Sequence, residues 1–577
     1  MILTGGLKSL LPHVLRRVIR CNRLSMSNTS GMAEGYKQAN VVILHKSLAD
    51  DFEKFCQANA GPLPLLYRSK PGDWKCPSLS GDSDIRTDCL QYRMYEHGAC
   101  TGTLKSLKEY SEQLKDMVTF YLGCSFSFEK AVQNAGIPVR NVEQKCNVSM
   151  YKTAVPCYSI STFSCNLVVT MRPIPESKLE AAVVATSGLK EAHGAPIHVG
   201  DPGLLGIQDL SKPDYGDPVQ LHPGDIPVFW ACGVTGVEAV ISCRAPLAFT
   251  HSPGCMFITD LKNDSVTTRS SREVPQVHRI SQDPLHYSIV SAEAAQKIRN
   301  LETLIGIDPG DRGIIHLLGR EELLKACLSI SHARSVLVTT GFPTHFTYEP
   351  PEENDGPPGA LAIAAVLQAL EKEVAIVTDQ RAMNLNKKII EEAVQLGILK
   401  RPVPLLSYQR ESADSALMFL CENGNPGKPR FDHLIAIERA GMAADGNYYN
   451  ARKVNIKHLV DPIDELFLAA QTIPGIATTG VSNWGGYAIA CALYILSTCE
   501  IHERYLRKAV GFPPLSKQRC WLSALPSVTK EEKLLKALVQ LGVRSGKTAS
   551  LEMEVDGLPF YDTHSLMIEK LLKEVQQ

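Results

Sequence analysis

The chain has 577 residues, which favours more than one domain, and a formal net charge of −1 from 60 Lys and Arg against 61 Asp and Glu. That balance gives no electrostatic case for nucleic acid or for an anionic membrane surface. The 17 cysteines are odd in number and contain no C-x-x-C pair, which argues against a zinc ribbon or a secreted disulfide framework and for reduced thiols.

No acidic residue precedes Glu34. Lys8, Arg16, Arg17, Arg20 and Arg23 share that stretch with Leu10, Leu11, Val14, Leu15, Val18 and Ile19 at helical spacing, and a Ser/Asn/Thr-rich tail follows. An Arg-rich, acid-free amphipathic helix is the mitochondrial transit pattern, so residues 1–33 are expected to be a leader with no part in the fold.

From residue 34 to about 270 the pattern predicts an α+β domain. Val41–Leu44, Leu167–Met171, Ile197–Val199, Val228–Trp230 and Met256–Thr259 read as strands, and Leu48–Asn59 and Leu104–Leu122 as helices. Lys262–Pro275 is polar and marks the boundary. From 285 to 577 short apolar runs alternate with helical periodicity. Ser335–Thr340, Val374–Thr378, Val403–Leu406 and His433–Ile437 are strands; Gly359–Leu370, Asn384–Leu396 and Ser412–Leu420 are helices. Such alternation predicts a doubly wound parallel sheet, so the chain is α/β overall. The apolar run Tyr487–Ser497 is too short to span a bilayer.

Chemistry-bearing residues concentrate in Tyr121–Glu129, YLGCSFSFE. It reads as a tight turn feeding a buried element, and Asp84–Asp88, Arg172 and His193–Asp201 are expected to converge on it. Glu129 is the acid/base candidate, since Phe126 and Phe128 would desolvate it. Cys124 reads as packing more than as a nucleophile. Asp84, Arg86 and Asp88 alternate, so an extended chain would put all three on one face. Arg172 ends an apolar run before Pro173, a place suited to gripping a carboxylate. His193, His198 and Asp201 have metal-ligand chemistry, but the spacing of the histidines puts them on opposite strand faces, so hydrogen-bonded structural roles are expected. In the second half, Asp355 precedes the helix-opening GPPGA, and Glu438 and Arg439 follow a strand, a position suited to ligand contact. H-E-x-x-H, G-x-S-x-G and G-x-G-x-x-G are absent, and Gly542–Thr548 falls one residue short of a phosphate loop.

Together these motifs carry a family resemblance. ANVVILHKSLADDFEKFCQAN, SDIRTD, GCSFSFE, VVTMRPI, HGAPIHVGDP and PVFWACGVT resemble a family named as hydro-lyases. TTGFPTHF, EENDGPPGA and ERAGMAADGNYYNAR resemble the domain that accompanies it in D-glutamate cyclases. The resemblance implies conversion of D-glutamate to 5-oxo-D-proline and water in the mitochondrial matrix. No cofactor and no metal are expected, and the charge balance gives no nucleic-acid or membrane partner; the oligomeric state stays open. Such a site needs a base and an acid, for which Glu129, Asp88 and Ser125 are candidates. It needs oxyanion donors, for which the Gly123–Ser125 backbone is a candidate, and a cation for the α-carboxylate, Arg86 or Arg172. Glu438, Arg439 and Asp355 are further substrate-binding candidates.

One departure from the family stands out. Thr478-Thr479-Gly480 runs directly into Val481–Gly486, where the family carries a Gly-rich loop. The join reads as a splice-shortened form, expected to lack a strand and crossover and to be destabilised. Two alternatives follow: an inactive, ligand-binding variant, or a hydro-lyase acting on another small acid.

Overall fold

The structure is a computed structural model describing residues 9–22, 24, 28–263, 273–311, 313–511 and 521–576. It divides into two units. The first contains Met1–Val277, His286–Ser291 and Ile501–Pro513; the second contains His278–Leu285, Ala292–Glu500 and Pro514–Gln577. Residues 264–272 of the expected boundary lie outside the described residues, as do Lys8 and Arg23.

The first unit is built on two antiparallel sheets. Its strands are β1 (Tyr36–His45), β2 (Leu65–Arg68), β3 (Tyr92–Glu96), β4 (Ala99–Leu104), β5 (Met117–Gly123), β6 (Ser149–Pro156), β7 (Asn166–Pro175), β8 (His198–Val199), β9 (Asp225–Ala231), β10 (Ala248–His251) and β11 (Phe257–Lys262). One sheet runs β2-β5-β1-β10-β3-β4 with β11 also on β1, and the other runs β6-β7-β9-β8. Alternation along β1 and β5 sorts the core by face. Val42, Leu44, Phe120 and Leu122 join Val169, Met171 and Phe229 of the second sheet, with the helix Lys46–Ala58 packed among them. Val41, Ile43, Met117 and Tyr121 face a separate core with Ile85, Cys89 and Tyr92.

One expectation needs correction here. Leu104–Leu122 is not one helix: a short helical turn, Ser111–Leu114, leads into β5, all of whose residues are buried. MVTFYLG is a run of β-branched and aromatic residues, and burial on both faces removes the polar alternation that would have marked it. The basic N-terminal segment also enters the fold. Pro12–Arg20 is a helix, and Leu15 and Ile19 pack with Met32, Ala33 and Ile258. Arg16 is fully buried; it binds Asp82 and Asp260 and donates to the Ile258 carbonyl at 2.8 Å.

The second unit holds a five-stranded, all-parallel sheet of β12 (Ser335–Gly341), β13 (Glu373–Thr378), β14 (Leu405–Ser407), β15 (His433–Arg439) and β16 (Ala477–Val481). The order is β14-β13-β12-β15-β16, which reverses between β12 and β15 as in doubly wound folds. The strand expected to be missing before the join is present: Ala477–Val481 pairs in register with His433–Ile437. It is an edge strand with no fully buried residue. The chain then enters the almost wholly buried helix Asn483–Thr498, which packs on the fully buried helix Pro357–Ala369. No single helix among the described residues is long and apolar enough to cross a membrane.

Contact between those two helices depends on glycine. A Cβ on Gly486 would lie 2.8 Å from the Cα and carbonyl oxygen of Gly359. Gly486→Val is expected to push the helices apart and cost the second unit about 2–3 kcal/mol. Its melting transition should drop accordingly; an unchanged curve would contradict this packing.

Candidate functional site

The stretch after β5 does form a tight turn. Cys124 is extended, and its sulfur accepts from the Phe126 N–H at 3.4 Å; a 3₁₀ turn Ser125–Phe128 then opens the helix Glu129–Asn134. Gly123 is required by close approach: a Cβ would sit 1.7 Å from the Glu191 carbonyl oxygen. Its N–H donates to the Pro64 carbonyl at 2.8 Å, so it is already engaged and is not a candidate oxyanion donor.

The turn presents Glu129 to Arg172 at 2.9 Å, and both side chains are buried. Arg172 sits inside β7, opposite Val228, and not at a strand end as the sequence suggested. Its guanidinium also donates to Ser125 Oγ at 3.4 Å and Thr170 Oγ1 at 3.2 Å, while Nε has no hydrogen-bond partner among the described residues. The guanidinium carbon lies 4.7 Å from the Phe128 ring centre and 5.9 Å from that of Trp230. Phe128 therefore faces the arginine, and Glu129 meets a cation in place of the expected apolar enclosure. Its other oxygen accepts from Ser30 Oγ at 3.0 Å. Glu129 also lines a pocket with Met32, Tyr36, Phe126, Lys130 and Asn263. Burial pushes the thiols of Cys124 and Cys232 up, which leaves them protonated and poor nucleophiles.

Asp88 and Arg86 do not join this group. Residues 82–90 form turns, not extended chain, and the flanking Ile85 and Cys89 belong to the core on the opposite face of the sheet. Asp88 is bound by Arg20 at 2.6 Å, and burial raises its pKa. Arg86 pairs with Asp84 and stacks on Trp74, 3.5 Å from the ring centre. Turn geometry and an internal ion pair, unreadable from the i, i+2 spacing, account for the difference.

The histidines behave differently from each other. His198 shares a hydrogen bond with the Asp201 backbone carbonyl at 2.8 Å. His193 is buried and left-handed at φ 75°, and its Nδ1 lies 3.0 Å from the Gly61 carbonyl oxygen. Its Nε2 has no hydrogen-bond partner among the described residues. Burial and the charges of Arg504 and Arg172 lower its pKa to about 4. The sequence offers His193 as a metal ligand or, by its spacing from His198, as a hydrogen-bonded structural residue, and its Nδ1 bond to Gly61 fits the second. The signal missed was HGA, a histidine at a left-handed position beside the GCSFSFE turn.

The second-unit candidates are engaged within their own unit. Arg439 grips Asp379 with two bonds of 2.6 Å, and both are almost fully buried. Arg439 also reaches the carbonyls of Gly341 and Asp461, which ties together the carboxyl ends of three strands. Asp355 accepts from Asn483, whose own oxygen accepts from the Gly359 N–H at 2.8 Å. Glu438 has a φ of 45° at the end of β15.

Comparison with known proteins follows the same division. A family model described as D-glutamate cyclase matches residues 118–260, and one described as D-glutamate cyclase-like, C-terminal, matches 301–481 and 478–572. The human protein named D-glutamate cyclase, mitochondrial, is 54% identical over 614 aligned positions, covering 99% of each chain. A Geobacillus kaustophilus protein with a hydro-lyase name is 46% identical over 251 residues, 44% of this chain and 94% of its own. A Bacillus subtilis protein with a hydro-lyase name is 45% identical over 256 residues, 44% of this chain and 98% of its own.

Removing either member of the buried pair leaves the other charge uncompensated. Arg172→Met and Glu129→Met are each expected to cost about 3–5 kcal/mol, and the double variant less than the sum. Urea unfolding measures this; two additive, near-neutral single changes would contradict the pairing.

Proposed function

The chain belongs to the D-glutamate cyclase family, and from that premise we propose that it is a lyase that closes D-glutamate to 5-oxo-D-proline with release of water. The observation that carries the site assignment is the buried Arg172–Glu129–Ser125 cluster, which lies within the stretch matched by the cyclase family model. The α-amine of the substrate must lose a proton and attack the γ-carboxyl carbon. That carbon is a poor electrophile while its carboxylate charge is uncompensated, and the tetrahedral oxyanion must be held until water departs.

Each group in the cluster suits one of these tasks. Arg172 offers fixed N–H donors to a carboxylate, and Phe128 and Trp230 keep its guanidinium in place. Glu129, at the pocket wall, takes or returns a proton. Ser125 Oγ donates to the developing oxyanion. Entry of a dicarboxylate would exchange the Glu129–Arg172 contact for a substrate–Arg172 contact and release Glu129 to act.

Mitochondrial location is supported by the name of the human relative and by the basic, acid-free N-terminus. We place the protein in the matrix, with residues 1–33 as the leader. Cleavage would remove Ser30 from Glu129 and Arg20 from Asp88. The join after Gly480 supports a shortened form, because the two stretches of the C-terminal match meet there and the human alignment spans 614 positions against 577 residues. That observation favours a second reading, a variant that binds D-glutamate without turning it over.

Conversion of D-glutamate to 5-oxo-D-proline by the purified chain separates the two readings. Glu129→Gln is expected to lower kcat by about 100-fold or more while the fold is kept. Unchanged turnover in that variant would remove Glu129 from the mechanism.

A further inference from the structure

We propose that His193 is the base that accepts the substrate's ammonium proton, and that an arm from the C-terminal half, within Ile501–Pro513, holds it in place. This rests on the cyclase reading above and adds to it a catalytic residue and a positioning element.

The ring's tautomer is set by its partner. A carbonyl oxygen only accepts, so the Nδ1 beside the Gly61 carbonyl carries the hydrogen and Nε2 keeps its lone pair. That lone pair is buried and has no partner among the described residues. Leaving a buried acceptor unsatisfied is costly, and such a cost is commonly kept at sites of function. The segment that carries the ring adjoins the GCSFSFE turn. The Glu191 carbonyl two residues before His193 packs on Gly123, and the charge of Arg172 acts on the ring.

The arm grips the backbone around His193 at alternate residues. Arg504 donates to the carbonyls of His193 and Ala195, the latter at 2.8 Å. Lys508 Nζ donates to the Ile197 carbonyl at 3.0 Å. The Tyr505 hydroxyl accepts from the Val199 N–H at 3.0 Å and donates to the Tyr287 carbonyl at 2.6 Å. Ala509 packs on Gly61, where a Cβ would lie 2.4 Å from the Ala509 Cβ, so the arm also backs the residue that orients the ring. β8 is the edge of its sheet, and side chains of the arm take the place of a further strand.

The proton count closes. His193 Nε2 takes one proton from the α-ammonium, and the freed nitrogen forms the C–N bond to the γ-carbon. The nitrogen then gives up a second proton, the C–O bond breaks, and both protons leave on the departing oxygen as water, His193 returning the one it took. The charged groups around the ring are Arg504 on the arm, Arg172 on β7, Glu129 beside Arg172, and Glu191, which pairs with Lys37.

The test is kcat and KM for D-glutamate against pH, on the full chain and its variants. His193→Asn keeps a donor for the Gly61 carbonyl but has no nitrogen in place of Nε2. It is expected to lower kcat by about 100-fold or more with KM changed less than about threefold, and to abolish the acidic limb. That limb belongs near pH 4 in the unsubstituted chain, because His193 must be neutral to accept a proton. Arg504→Met removes one of the two charges that lower the ring's pKa, so the limb should move to higher pH; Arg504→Lys should restore it. A His193→Asn variant with the unsubstituted rate and melting temperature overturns the proposal and leaves the reaction intact. A limb that stays put in Arg504→Met overturns the arm's role, and this variant decides the matter if His193→Asn fails to fold. No 5-oxo-D-proline from the unsubstituted chain overturns the cyclase reading itself.

Discussion

A guanidinium cannot lie alone in an apolar core. Arg172 is 1% exposed, and desolvating a cation to that degree costs several kcal/mol unless an anion and hydrogen-bond acceptors replace the lost water. The first unit meets this demand by bending the chain sharply after β5 so that Glu129 and Ser125 reach Arg172. Much else follows from that bend. Gly123 has no side chain because Glu191 presses on it, Asn40 donates to the Gly123 carbonyl at 2.6 Å, and Phe128 and Trp230 flank the cation. Replacing such a pair with apolar residues is often neutral or stabilising, so its presence is better explained by chemistry than by stability.

The parts of the fold legible in the sequence were those with a local signature. The parallel sheet announces itself as short apolar runs separated by helical periodicity, and four of its five strands fall where those runs lie. β5 was missed because burial on both faces erased its alternation. Glu129, Arg172 and Ser125 stand out by their chemistry, and the structure gathers them. Asp88 and Arg86 stand out by spacing, which means something only in extended chain, and they fold as turns on the other face. The arm was unreadable for a different reason. Arg504, Tyr505 and Lys508 recognise backbone groups some 300 positions away, and backbone carries no sequence signal.

Basic groups from two distant stretches of the chain engage the first unit. Arg16 and Arg20 neutralise Asp82, Asp88 and Asp260 from the N-terminal side, and Arg504 and Lys508 engage the carbonyls just before β8 from the C-terminal side. The acid-free N-terminal segment thus pairs with the buried Asp88 and with the more exposed Asp82 and Asp260. The second unit is held differently, by Arg439 bridging strand ends and by two glycines at a helix crossing. Its sheet reaches the join after Gly480 with the edge strand β16 formed but unburied.

The most direct test of where the reaction occurs is a crystal structure with 5-oxo-D-proline bound. The product carboxylate should lie on Arg172, its ring carbonyl toward Ser125, and its ring nitrogen toward His193 Nε2. Product bound in the second unit, with the Arg172–Glu129 pair undisturbed and no ligand beside it, would contradict the account.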